Sequence, residues 1–152
     1  MKKKLLTTGL ALILGGIYAL TASAQATPQV LVKQRQAAMI LQGKYFGPLA
    51  GMAQGKVPYD SNVVARNAGY LDALSKMPWD GFAPSTKDLK TEALAAVFTD
   101  GPKFKEALDR FKGEVAKLVS ASKGGDEAAV KAQVSAVGKA CGDCHGSFRE
   151  KK

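Results

Sequence analysis

From Val130 to Phe148, apolar and thiol side chains recur in steps of four and three: Val130, Val134, Val137, Cys141, Cys144 and Phe148. That rhythm follows the 3.6-residue turn of an α-helix and sets both cysteines on the face that carries the valines. Such a stripe must be buried against other elements, so the chain is constrained to a packed helical layer. Whatever the cysteines do, they do it on the inner side of that layer.

Three further helices are predicted. The first starts at Pro28, where a first turn tolerates proline, and runs to about Ala50. Val32, Met39, Phe46 and Ala53 fall seven apart in it, with Leu49 between. Pro48 lacks a backbone donor and is expected to kink or end this helix. The second is capped by Asp60 or Ser61 and runs to about Lys76, with Val63, Asn67, Tyr70, Leu71 and Leu74 as its inner stripe and Pro78 as its stop. An irregular connection follows from Trp79 to about Glu92. The third opens at Thr99 or Asp100 with Pro102 in its first turn, and carries Phe104, Leu108, Phe111, Val115, Leu118 and Ser122. Gly124-Gly125 ends it and Asp126 caps the last helix. No stretch sustains the period of two that strands require. The expected fold is all-α, an antiparallel up-down four-helix bundle.

The first 24 residues stand apart from that fold. Lys2, Lys3 and Lys4 precede an apolar run from Leu5 to Leu20, and Ala22-Ser23-Ala24 supplies small residues for cleavage. Residues 1–24 therefore read as a secretory signal peptide, leaving a single domain over residues 25–152. The apolar run is short for a membrane span. Export from a Gram-negative cell places the mature chain in the periplasm, where no membrane attachment is expected after cleavage. Most of the formal net charge of +9 stays on that chain as dispersed lysine. It has no arginine cluster and no interleaved aromatics, so nucleic-acid binding is not expected; the charge suits solubility and steering toward acidic partners.

Cysteines in an exported chain suggest a disulfide, but the residue after them changes the reading. Cys141-Gly142-Asp143-Cys144-His145 is C-x-x-C-H, the attachment signal of haem c. Thiols three apart on one helical face can both reach the vinyl groups on one edge of a porphyrin. His145, four residues from Cys141, can turn under the ring and ligate the iron. A structural zinc site needs four Cys or His ligands, and the chain holds two Cys and one His. A thioredoxin-type pair belongs at a helix start beside a βαβ unit, not inside a last helix.

Because His145 is the only histidine, a second histidine ligand from the same chain is excluded. Methionine, lysine, an exogenous molecule or nothing remains for the sixth position. The mature methionines are Met39, Met52 and Met77. Met39 lies one turn after Arg35, a suitable partner for a haem propionate, so both can face one haem. Equally, Met39 can be core packing.

At this point the chain resembles the class II c-type cytochromes, and the cytochrome c′ family in particular. The resemblance spans the mature chain. It rests on C-x-x-C-H near the C-terminus followed by Phe148-Arg149, on Arg35-Gln36, on Lys56-Val57-Pro58-Tyr59-Asp60, and on Pro78-Trp79 with Phe82. It implies that Arg35 and Gln36 contact the propionates or haem edge, with Thr86 as a further contact from the loop. It implies that Trp79 and Phe82 wall the pocket, and that Arg149 lies by the face of the proximal histidine. Met39 falls at the distal position, which covers an open iron in cytochromes c′ and ligates it in the low-spin c-556 type. A homodimer through the first two helices is also implied.

Two functions follow as expectations. One is an electron carrier that exchanges electrons with redox partner proteins. The other is a binder of nitric oxide or carbon monoxide at a five-coordinate, His-ligated haem; a Met39 ligand would close the site to gases. An enzyme such as a peroxidase needs a distal acid–base group, and the single histidine is committed to the proximal side, so no enzymatic activity is expected.

Overall fold

Each helix forms where the sequence supplies a start signal. The computed structural model describes residues 26–77 and 79–151; the expected signal peptide and the Pro78 stop lie outside them. Thr27 accepts from the Val30 amide to open α1 (Pro28–Ala53), with Pro28 in its first turn. Asp60 takes the amides of Asn62 and Val63 and starts α2 (Ser61–Ser75). Two 3-10 turns, Trp79–Phe82 and Pro84–Thr86, break up the connection that was expected to be irregular. A single turn, α3 (Ala96–Thr99), precedes α4 (Gly101–Gly124), which Asp100 caps. Gly125 adopts φ +75°, the left-handed conformation that ends a helix most cheaply in glycine. Asp126 then caps α5 (Glu127–Phe148) through the amides of Ala128 and Ala129.

The four long helices close a ring in which α1 packs on α2, α2 on α4, α4 on α5 and α5 on α1. With only Gly125 and Asp126 between them, α4 and α5 must run antiparallel. The result is the expected antiparallel four-helix bundle. Among the described residues there is one isolated β-bridge, Ala93 to Arg149, and no strand.

Two local expectations are narrowed. Of the two outcomes expected at Pro48, ending the helix does not occur, and α1 continues to Ala53. The missing Pro48 amide concerns only the carbonyl of the exposed Lys44, while Leu49 and Met52 bury the next turn in the core and hold it helical. In α2 the buried face is Val64, Asn67, Ala68, Leu71 and Ser75; Tyr70 is exposed and Val63 and Leu74 are only partly covered. Asn67 and Leu71 are thus on the inner face as expected, and Val64 and Leu71 pack there in the core cluster while Val63 packs at its edge.

The core fills one part of the bundle. Leu49, Leu71, Val115, Leu118, Val130 and Val137 are essentially inaccessible there. Each contributes about 1.5–3 kcal/mol by leaving water. In α1 the buried stripe stops after Ala38 and resumes only at Leu49. That gap faces the site.

Candidate functional site

Between Ala38 and Leu49, α1 lines a cavity of about 970 Å³ instead of packing on a neighbour. Its contributions include Gln36, Met39, Gly43 and Phe46. From α5, Cys141, Cys144 and His145 reach the same space. The size stands at the upper end of the ~300–1,000 Å³ typical of ligand cavities.

An aromatic chain forms a continuous wall. Phe111 meets Trp79 at 6.3 Å between ring centroids, Trp79 stacks on Phe82 at 6.2 Å, Phe82 meets Phe104 at 5.0 Å, and Phe104 meets Phe148 at 5.2 Å. All five line the cavity. The Trp79 indole N–H donates to the Ser75 carbonyl at 2.7 Å, which ties the wall to the end of α2.

Arg35 is the one strongly buried cation of the site, 3% exposed. It donates to the Gly81 carbonyl at 2.6 Å, the Thr86 hydroxyl at 2.9 Å and the Thr91 hydroxyl at 3.1 Å, and lies 4.6 Å over the Phe82 ring. All three acceptors are neutral. Burial lowers its pKa from the usual arginine range. A guanidinium in this setting has a charge to share with a carboxylate entering the cavity. Gly81 permits the approach, since a Cβ there would lie 2.9 Å from both Arg35 Cβ and the Leu31 carbonyl oxygen.

Burial, and then the neighbouring Cys144, pushes the Cys141 thiol up to about 11; burial also raises Cys144. The His145 imidazole is held below its usual range by burial first and the Arg149 charge second. Neutral imidazole is the form that binds iron. Arg149 donates through Nε and Nη2 to Glu92 Oε2 at 2.8 and 2.6 Å. The backbone on either side of Arg149 is pinned as well, Leu94 N–H donating to the Phe148 carbonyl and Glu150 N–H to the Glu92 carbonyl.

Of the residues expected at the site, Arg35, Gln36, Met39, Trp79, Phe82, Cys141, Cys144, His145 and Arg149 all line the one cavity. Thr86 does not. It is buried behind Arg35, accepting from the guanidinium and donating to the Ala83 carbonyl, so the expected loop contact is a brace for Arg35. Met52 is in the core and Met77 is exposed, leaving Met39 as the methionine of the cavity. Thr91 and Glu92 were not foreseen; a threonine and a glutamate in a loop carry no periodic signal.

An apolar cavity, a buried guanidinium with neutral acceptors, two thiols three residues apart and an adjacent imidazole fit a haem with acidic side groups. Among the described residues no group of three His, Cys, Asp or Glu side chains could hold a bare metal ion.

Bundle and cavity together define a helical c-type cytochrome. The family model described as Cytochrome C′ matches residues 30–149. The cytochrome c′ of Rubrivivax gelatinosus has a crystal structure that superposes with a TM-score of 0.78 at 44% identity, covering 82% of this chain and 98% of that one. Cytochrome c prime from Alcaligenes xylosoxidans, as a ferrous variant with bound NO, matches at TM-score 0.77 and 32% identity over 84% of this chain and 98% of its own; another variant of it has carbon monoxide bound. Cytochrome c-556 of Rhodopseudomonas palustris is 34% identical over 145 residues, 92% of this chain and 96% of its own. The chain belongs to the cytochrome c′ family, whose members carry one covalently attached haem c.

Proposed function

We propose that this chain is a periplasmic monohaem cytochrome that transfers electrons and binds nitric oxide or carbon monoxide at a five-coordinate iron, acting as a carrier and not as an enzyme. The observation that carries the reading is the shared cavity: Cys141, Cys144 and His145 from α5 and Met39 from α1 all line it. Haem supplies one-electron redox chemistry and an iron position for a small ligand. Cys141 and Cys144 would hold the haem covalently, His145 would ligate its iron, and Arg35 and Gln36 would meet its acidic side groups. Trp79 and Phe82 wall the cavity and would exclude water from it. Met39 would cover the iron with an apolar thioether, which favours small uncharged ligands. The gas complexes of the Alcaligenes protein support this step.

The Lys-rich surface suits acidic redox partner proteins, and the segment over residues 1–24 supports export with cleavage after Ala24. Among the described residues no helix is long and apolar enough to cross a membrane. Ile40, 71% exposed, with Leu41 and Tyr70 beside it in exposure, gives α1 and α2 uncovered apolar surface that supports a homodimer through these helices.

Absorption and EPR spectra of the haem-loaded protein test the reading. High-spin ferric iron, with nitric oxide binding on reduction, is expected. A low-spin ferric signal with a methionine charge-transfer band would instead establish the second reading, a His145/Met39 carrier closed to gases. That reading is favoured by one observation, that Met39 is half-buried within the cavity.

A further inference from the structure

We propose that Glu92 is a positioning residue for the proximal side of the haem, acting on His145 through Arg149. The inference rests on the reading above in which His145 is the axial ligand. Glu92 reaches Arg149 from 57 positions away in the chain, and a single carboxylate oxygen takes two of its N–H groups. Both side chains are partly exposed, so the pair adds little to stability, but two donors converging on one oxygen set the direction of the guanidinium plane. Backbone hydrogen bonds flank the pair on both sides, and the isolated bridge between Ala93 and Arg149 sits next to it. The segment 92–94 thus straps the end of α5.

What the strap controls is the residue one turn earlier. Arg149 follows His145 by four positions, its amide donates to the His145 carbonyl, and its charge reaches the imidazole. Both residues line the main cavity, and both also line a smaller hollow of about 270 Å³ beside the end of α5. A guanidinium that shares these two spaces with the imidazole can be turned toward the ring or away from it. Glu92 selects one orientation and offsets the positive charge. Groups beyond the direct ligands orient a ligating histidine and tune the metal it holds. Glu92 and Arg149 supply that outer layer here.

The iron–histidine stretching band in the resonance Raman spectrum of the ferrous, haem-loaded protein reads this directly. Its presence in the wild type tests the five-coordinate, His145-ligated reading by itself, and its absence there would overturn that reading, and with it the proposal, whatever the variants do. With the band present, Glu92→Gln is expected to shift it, and Arg149→Gln is expected to shift it too. Adding Glu92→Gln to Arg149→Gln should then produce no further shift, because Glu92 works through Arg149. An unshifted band in Glu92→Gln overturns the proposal, as does a Glu92→Gln shift that persists undiminished without Arg149. A purely structural brace would lower thermal stability and leave the band in place. Should Glu92→Gln fail to load haem, Glu92→Asp keeps the charge with a shorter reach. It must then shift the band in the direction Arg149→Gln does, by less, and an unshifted band overturns the proposal.

Discussion

The Arg35 guanidinium donates to the Thr86 hydroxyl at 2.9 Å, and Thr86 in turn donates to the Ala83 carbonyl at 2.8 Å. Through this relay, the first helix and the loop after α2 are locked together behind the cavity. Arg35 therefore has two duties, holding the loop and offering charge to the site.

Replacing Arg35 by Met removes a donor from three buried or part-buried acceptors, the Gly81 carbonyl and the Thr86 and Thr91 hydroxyls. The expected loss is about 3 kcal/mol of unfolding free energy, since acceptors left unpaired cost ~1–3 kcal/mol each and some will find water. Urea unfolding of the haem-loaded protein measures it. A change below about 0.5 kcal/mol would show that the relay does not hold the loop, being no more than a neutral surface substitution produces.

Gly81→Ala should destabilise by about 1–3 kcal/mol, because the new methyl meets backbone at Leu31 and the Arg35 stem. Gly113→Ala in α4, where a Cβ meets nothing, should stabilise by about 0.5–1 kcal/mol. Opposite signs in one thermal or urea series are the expected outcome. Equal responses would mean that the close approach at Gly81 is not tight.

The Asp100 carboxyl, cap of α4, is held below the usual carboxylate range by hydrogen bonding to the Lys103 side chain. A carboxyl with a depressed folded pKa adds stability above its unfolded pKa and loses it as pH falls through the folded one. Asp100→Ala should therefore melt below wild type at neutral pH, and the gap should close in acid. A gap that widened on acidification would contradict this sign.

Met39→Leu should leave the ferric spin state unchanged, because leucine covers the same apolar space without a sulfur to bind. Matched EPR spectra of the two proteins check this. A low-spin wild type that becomes high-spin in the variant would make Met39 a ligand.

Where the fold and site were legible in the sequence, local chemistry decided them. Asp60, Asp100 and Asp126 cap within three residues, and Gly125 ends α4, so the helix boundaries could be read without the fold. The C-x-x-C-H segment was equally local. On α2, Asn67 and Leu71 face inward as the stripe predicts, but Val64, Ala68 and Ser75 complete that face while Tyr70 is exposed, because two apolar stripes lie side by side there. The continuation past Pro48 depended on core burial of Leu49 and Met52. The roles of Thr86, Thr91 and Glu92 come from contacts made 51, 56 and 57 residues away, and no periodicity in one sequence encodes such pairings.

Attachment at Cys141 and Cys144 is the claim on which the rest depends. Protein matured with haem should be digested after acid–acetone extraction and the fragment containing residues 141–145 weighed. The account predicts that this fragment keeps the mass of one haem, bound to both cysteines, and that Cys141→Ser/Cys144→Ser loses it. Haem released into the acetone from the wild type, with both thiols free in the fragment, would contradict it.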